Sequence, residues 1–295
     1  MPKSFHKIGL FAKHTSKTVA DTLERLIQFL TNRDYAIVIE TQSASLLAKN
    51  PYPTKDRETL GSDCDLVIVV GGDGSLLNAA RAVVSYQVPV LGINRGRLGF
   101  LADILPDMLE EELTSILNGT YIKEQRFLLD GHIERKGKTI AKNIALNDIV
   151  LYCGSVARMV DFEVYIDDHF VLRQQADGLV TATPTGSTAY ALSAGGPILY
   201  PTLNAMTIAP LCPHTLSSRP IVVESNSQIK LVIMHNHNLS PKLSFDGQLH
   251  FDLEPGDEIY IQKHPFLLTL IHPTHHEYYM VLREKLGWNI QTLKD

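Results

Sequence analysis

The stretch that most constrains this chain is an unbroken apolar run, Leu66-Val67-Ile68-Val69-Val70, cut off by Gly71-Gly72-Asp73-Gly74 and followed at once by a helical pattern. Apolarity that does not alternate suits a parallel strand buried on both faces. Glycines around one carboxylate permit a sharp turn and let a ligand approach the backbone closely. A helix opening there offers unpaired N–H groups and partial positive charge, a natural seat for phosphate. Open parallel sheets also gather ligands at their strand ends. The same four residues fit a plain tight turn with Asp73 as a helix cap, and by themselves they leave both readings open.

The flanking pattern extends the parallel theme. Lys7–Ala12 and Ala36–Glu40 read as strands, and a helix over 18–31 aligns Val19, Leu23, Leu26, Ile27 and Leu30. A helix over 75–85 and a strand over 88–93 follow the glycines. Strand, helix, strand in this order predicts an α/β domain with a mainly parallel, Rossmann-like sheet over residues 1–120. From residue 121 the texture changes to short apolar or alternating runs at 144–151, 159–166, 169–173, 179–183, 229–235, 242–245 and 258–262. Turn signals such as Asp167-Asp168, Asp246-Gly247 and Pro255-Gly256-Asp257 separate them. They predict an all-β, mostly antiparallel domain over 121–270. A last helical pattern over 277–288, with Tyr278, Val281, Leu282 and Leu286 aligned, needs an apolar partner. The segment 271–295 is therefore expected to return to the first domain.

Composition narrows the partners. At 295 residues, 44% hydrophobic and 20% charged, the chain has ample material for packed cores. A net charge of −5 gives no general field for nucleic acid or an anionic membrane. An anionic ligand must be held locally, by backbone amides, a bound cation or a few placed side chains. Cys64, Cys153 and Cys212 are scattered and form no Cys-x-x-Cys pair, which suits a reducing compartment without a disulfide framework. No run approaches the roughly 20 apolar residues of a membrane span, and 1–17 carries no export signal. A cytoplasmic protein is the expectation.

Two familiar nucleotide motifs are excluded at the glycine loop. A Walker loop needs Gly-Lys-Ser/Thr, and no lysine lies between Lys55 and Lys123; a dinucleotide fingerprint needs glycine where Leu77 stands. One acid in a glycine bracket instead suits Asp73 as proton acceptor for a hydroxyl, with phosphate on the amides of Gly71, Gly72, Gly74 and Ser75. A second signal runs from Asp177-Gly178 into Thr183-Pro184-Thr185-Gly186-Ser187-Thr188-Ala189-Tyr190. Hydroxyls cluster on a turn there, Ser187 or Thr188 is a good helix N-cap, and Tyr190 offers a ring to a nucleobase. An ordinary strand-to-helix corner has the same composition. A third is Asn147-Asp148 inside an apolar run, where an amide beside a carboxylate could hold the two hydroxyls of a ribose. An exposed strand edge is the alternative. The pairs His235-x-His237 and His275-His276 have no carboxylate or cysteine at ligand spacing, so surface histidines and no metal site are expected.

In this order, and with Gly92-Ile93-Asn94-Arg95-Gly96-Arg97-Leu98-Gly99-Phe100-Leu101 between the first and third, these elements resemble the bacterial NAD kinases of the ATP-NAD kinase family over essentially the whole chain. Gly-Gly-Asp-Gly alone is shared with diacylglycerol kinases and 6-phosphofructokinases; joined to Thr-Pro-Thr-Gly-Ser-Thr-Ala-Tyr it becomes specific. The resemblance implies ATP-dependent phosphorylation of the adenosine 2′-hydroxyl of NAD to NADP, with a divalent cation, usually magnesium, accompanying ATP. It implies a homo-oligomer, commonly a tetramer. It makes Asp73 the proton acceptor with Gly74 beside the substrate, and puts Phe100 near the adenine and Asn147 and Asp148 at the adenosine. Thr185, Thr188, Ala189, Tyr190 and Ser193 line the dinucleotide, Asp177 lies toward the nicotinamide, and Arg158 and Gln248 are further contacts. Two positions depart from the family pattern. Asp148 stands where glutamate is usual, and Gln175, also counted at the NAD site, where many members have arginine. A lipid or sugar kinase sharing the glycine loop, or a non-catalytic NAD-binding sensor, remains the alternative.

Overall fold

Four apolar runs of the N-terminal third pair side by side in parallel. Lys7–Ala12 lies between Ala36–Glu40 and Leu66–Val70, and Leu66–Val70 pairs in turn with Val90–Ile93. This computed structural model describes residues 5–12, 17–95, 99–154, 159–234 and 240–288. The chain divides into two units, Met1–Gln125 with Leu268–Asp295, and Arg126–Leu267. In the first, all five residues of Leu66–Val70 are buried, as their unbroken apolarity requires. Helix Lys17–Thr31 buries Val19, Leu23, Leu26, Ile27 and Leu30 in one core with Ile8, Leu10 and Ile68. At roughly 1.5–3 kcal/mol for each large aliphatic side chain removed from water, that stripe is what attaches the helix.

Helix Asp73–Val83 starts on the acid of the glycine loop, two residues before the expected start. The C-terminal helix is Tyr278–Leu286; Val281 and Leu282 are buried, and Gly287 in a left-handed conformation (φ 66°) ends it. It belongs to the first unit, as do Leu270 and Ile271, which pair in parallel with Val90 and Leu91.

The second unit is built from two sheets. One is antiparallel, in the spatial order Ile221–Glu224, Ala205–Leu211, Gly178–Ala182, Asp148–Cys153, Pro241–Phe245, Leu249–Asp252. In the other, His169–Ala176 pairs with Val160–Ile166, which pairs with Ile229–Ile233, which pairs with the start of Glu258–His272. Leu151, Leu179 and Leu243 of the first share one core with Phe162, Leu231 and Ile261 of the second. Two hairpins turn where the sequence signals them, with positive φ at Asp167 (50°) and Asp168 (63°), and at Asp246 (52°) and Gly247 (61°).

One expected strand is two. The run 144–151 breaks into Lys138–Ala145 and Asp148–Cys153, with a bend at Leu146-Asn147. The cause is Asp246, whose carboxylate accepts the N–H groups of Leu146 (3.1 Å), Asn147 (2.7 Å) and Asp148 (3.3 Å) and so replaces ladder partners. The run expected over 258–262 instead continues to His272. Among the described residues no helix is long and apolar enough to cross a membrane.

Candidate functional site

In the first unit the glycine loop presents Asp73 on the opening residue of helix Asp73–Val83. Its Oδ2 accepts the N–H of Phe100 (2.9 Å), and its Oδ1 accepts those of Leu101 (3.1 Å) and Ala102 (3.3 Å). A carboxylate has about four acceptor positions, so among the described residues one remains, on Oδ2. The loop can lie this close only because residue 99 is glycine: a Cβ there would stand 2.2 Å from Asp73 Oδ1. Beyond the loop, Ile104 exchanges backbone bonds with the adjacent strand, donating to Gly92 O (3.4 Å) and accepting from Asn94 N–H (2.8 Å).

The other glycine-loop residues surround the acid. Gly71 N–H donates to Ile93 O at 2.9 Å, Gly72 is the helix N-cap, and a Cβ on Gly72 would meet nothing within 4 Å. Gly74 is exposed, while Ser75 is buried with its Oγ unpartnered among the described residues. Phe100 is half-buried, and its backbone N–H makes the contact with Asp73.

Next in the chain after these amides, Asp103 corrects the expectation about histidines. His276 is not a surface residue. Asp103 Oδ2 lies 2.8 Å from His276 Nδ1 and 2.9 Å from His272 Nδ1, and the three side chains are only 9%, 7% and 1% exposed. Burial pushes the Asp103 carboxyl up, but the two imidazole bonds outweigh it and hold it below the ordinary range. An ionised carboxylate only accepts, so both Nδ1 atoms carry hydrogen. The rings stack at 4.0 Å between centroids and 21° between planes. This is the His/Cys/Asp/Glu group among the described residues compact enough to consider for a metal. Both Nδ1 atoms, however, are already spent on Asp103 Oδ2. His275 is exposed beside Glu112; His235 and His237 lie outside the described residues.

In the second unit a cavity of about 410 Å³ is lined by Asn147, Asp148, Ala189 and Tyr190 together with Tyr152, Ser244, Asp246 and His250. The bend that Asp246 creates is what turns Asn147 and Asp148 to this cavity. Asn147 Oδ1 is buried and has no hydrogen-bond partner among the described residues. Asp148 is 5% exposed, and burial, with the charge of Asp246 added, pushes its carboxyl up to about 7. Near neutrality it therefore donates as readily as it accepts, unlike the simple acceptor that the sequence suggests.

The hydroxyl-rich corner is clasped to the same bend. Thr183 N–H donates to Asn147 O (2.9 Å), Thr183 Oγ1 donates to Leu146 O (2.6 Å), and Gly186 N–H donates to Thr183 Oγ1 (3.1 Å). A Cβ on Gly186 would stand 2.1 Å from Asn147 O. The expected N-caps are engaged elsewhere. Ser187 Oγ donates to Pro184 O and accepts from Leu199 N–H, Thr188 Oγ1 donates to Thr185 O, and helix Tyr190–Ser193 opens on Ala189 with no side-chain cap. Thr185 is buried and accepts from Arg126 Nη1 at 3.0 Å.

Other candidates stand apart from the cavity lining. Ser193, Asp177 and Gln175 are exposed and Gln248 is half-buried in a hairpin turn. Arg173, beside the missing arginine at 175, is committed to Asp161 through bonds of 3.1 and 2.9 Å. Arg158 lies outside the described residues. Sequence reasoning missed Asp246, visible only as half of a turn signal, and Arg126, whose one trace is a charge directly before the apolar Phe127-Leu128-Leu129. It also missed His250, which meets Tyr152 Oη at 3.1 Å.

The sequence families described as ATP-NAD kinase N-terminal domain and ATP-NAD kinase C-terminal domain match residues 8–121 and 146–272. The chain is 52% identical to the NAD kinase of Marinobacter nauticus over 284 residues, 96% of this chain and 97% of that one. It is 52% identical to the NAD kinase of Pseudomonas entomophila over 286 residues, 97% of each. Among solved structures, yeast NADH kinase complexed with NADH aligns with a TM-score of 0.88 at 26% identity, covering 100% of this chain and 94% of that chain.

Proposed function

The chain belongs to the NAD kinase family, and from that premise we propose how its residues transfer the terminal phosphoryl group of ATP to the adenosine 2′-hydroxyl of NAD, giving NADP. Family membership sets aside the lipid-kinase, sugar-kinase and sensor alternatives. Asp73 accepts the hydroxyl proton. The observation that carries this is the one acceptor position left on Asp73 Oδ2, among the described residues, once three amides have fixed the carboxylate. As the sugar oxygen bonds to phosphorus, the bond to the leaving ADP oxygen breaks, ADP keeps that electron pair, and the proton passes to Asp73. Such a reaction needs positioning and charge stabilisation more than covalent help, and an acid locked in place before substrate arrives supplies the first.

Gly72, Gly74 and the Ser75 hydroxyl receive phosphate oxygens where helix Asp73–Val83 opens, whereas the Gly71 and Ser75 N–H groups, expected to share this role, are spent on Ile93 O and Gly72 O; the open space beside Gly72 and the unpartnered Ser75 hydroxyl support this. The second unit's cavity takes a nucleoside portion of the dinucleotide, with the Tyr190 ring against the base and Asn147 and Asp148 toward the ribose. Ala189 forms part of its wall, and Thr185 and Thr188 shape the corner behind it. Asp177, Gln175, Ser193 and Gln248 serve the outer dinucleotide, and Phe100 lies near the adenine.

A magnesium ion on the triphosphate would neutralise phosphate charge. The described residues do not fit a protein cage for it: Asp103 with two histidines offers two nitrogens to one carboxylate, where magnesium takes oxygens. The phosphates of ATP and water would supply its ligands. The protein acts in the cytoplasm as a homo-oligomer, a tetramer by family resemblance. The edge strand Ile221–Glu224, with Ile221 and Val222 exposed, supports association.

The test is NADP formation from ATP, magnesium and NAD, with diacylglycerol and fructose 6-phosphate as parallel acceptors. Asp73→Asn should lower kcat roughly 10²- to 10⁴-fold and leave NAD affinity within a few-fold. Unchanged turnover would remove Asp73 from the role of acceptor.

A further inference from the structure

The search for functional groups outside the reaction described above leads to the buried group Asp103, His272 and His276. We propose that these three are positioning residues for phosphoryl transfer, a clamp that fixes the loop whose amides hold Asp73; the proposal rests on Asp73 being the proton acceptor.

The argument is one of contiguity. Phe100, Leu101 and Ala102 give their N–H groups to Asp73, and the next residue gives its carboxylate to the two histidines. Asp103 is one peptide unit from the last of those amides, so displacing it moves the donors on Asp73. His272 is itself firmly placed. It ends the strand Glu258–His272, whose Leu270 and Ile271 pair with Val90 and Leu91. That same Val90–Ile93 strand receives the far end of the loop through Gly92 and Ile104. His276 precedes helix Tyr278–Leu286 and lies against His272 in the 4.0 Å stack. The clamp thus ties the loop to both elements of the C-terminal segment.

Packing alone does not explain the group. A core position filled for volume takes an aliphatic side chain, whereas here three polar side chains are at least nine-tenths buried. Asp103 Oδ1, His272 Nε2 and His276 Nε2 have no partners among the described residues. Buried unsatisfied polar atoms cost about 1–3 kcal/mol each, so the arrangement is kept at the expense of stability. What it provides in return is direction. Two charge-assisted bonds converging on one oxygen fix Asp103 more tightly than apolar contact would.

The experiment measures kcat and KM for NAD and for ATP with magnesium in the full-length enzyme. His276→Leu keeps an apolar volume and removes the donor, whereas His276→Gln keeps a donor. His276→Leu should lower kcat roughly 10- to 100-fold with both KM values within about twofold, since a shift of about 1 Å in a positioned group suffices for such a loss. His276→Gln should recover kcat to within about threefold of the parent. In an Asp73→Asn background, His276→Leu should cause no further loss, because coupled residues are non-additive. Asp103→Asn is run alongside, so that failure of one variant to fold leaves the other to decide. A normal kcat in folded His276→Leu and Asp103→Asn overturns the clamp and leaves Asp73 standing. So does an equal loss in both Asp73 backgrounds. Normal turnover in Asp73→Asn alone overturns the acceptor role, and the clamp with it.

Discussion

Replacing Asp148 with asparagine should make this protein more stable in alkaline than in acidic solution relative to its parent. Asp148 is 5% exposed, and burial together with the charge of Asp246 raises its carboxyl from 3.8 to about 7. The folded state therefore keeps a proton that the unfolded chain has already released. A carboxyl displaced in this direction loses stability as pH rises between the two values, and is level outside them. At about 1.4 kcal/mol per pH unit, the parent loses roughly 2 kcal/mol between about pH 5.5 and 7, and no more above that. Asp148→Asn keeps the shape and abolishes this titration. The stability difference, variant minus parent, should therefore grow by about 2 kcal/mol from about pH 5.5 to about pH 8.5. Urea unfolding at both pH values measures it, with equal slopes required of the two proteins. Titrating groups that do not interact with Asp148 are common to both and cancel. A difference that is flat with pH, or that shrinks toward alkaline solution, would mean that Asp148 is not held protonated by burial and Asp246.

Two further substitutions test the second unit. Gly186→Ala sets a methyl group 2.1 Å from Asn147 O, and a backbone oxygen clasped by Thr183 does not move cheaply. It should cost about 1–3 kcal/mol or more, seen as a lower Tm, and raise KM for NAD; a parental Tm would contradict the close packing of corner and bend. Tyr190→Ala removes a ring that is 49% exposed, so Tm should hold while KM for NAD rises roughly tenfold and that for ATP much less. Equal increases for both substrates would take Tyr190 away from the dinucleotide.

The parallel layer is legible in the sequence because burial on both faces writes itself into each strand. Leu66–Val70 contains no polar residue to misread. The helix Lys17–Thr31 is legible for the complementary reason, since its stripe has one solvent face to contrast with. What escapes is whatever depends on a partner far along the chain. The bend at Leu146-Asn147 looks like the middle of one strand because its cause, Asp246, is 99 residues from Asn147. His276 resembles a surface histidine because Asp103 is 173 residues away. The hydroxyl corner announces its chemistry but not its partners. Thr183, Ser187 and Thr188 turn theirs onto backbone carbonyls, and Thr185 onto Arg126.

The two units meet the same structural problem with the same device. Asp73 gathers the amides of residues 100–102, and Asp246 those of residues 146–148. Three successive N–H groups converge on one side only where the chain curls, so a carboxylate in that position both causes the curl and satisfies it. Each such charged bond is worth about 1.5–3 kcal/mol, enough to replace a sheet ladder locally. At Asp246 the curl frees Asn147 and Asp148 from strand alternation and turns them to a cavity. At Asp73 the acid is itself the functional group, and the amides that it organises also orient it. An asparagine at position 73 would offer an NH₂ where one oxygen now accepts, disturbing the loop as well as removing the base. Chemistry and position are thus coupled in that residue. The clamp variants at His276 and Asp103 separate them, because they move the loop while leaving the carboxylate chemically intact.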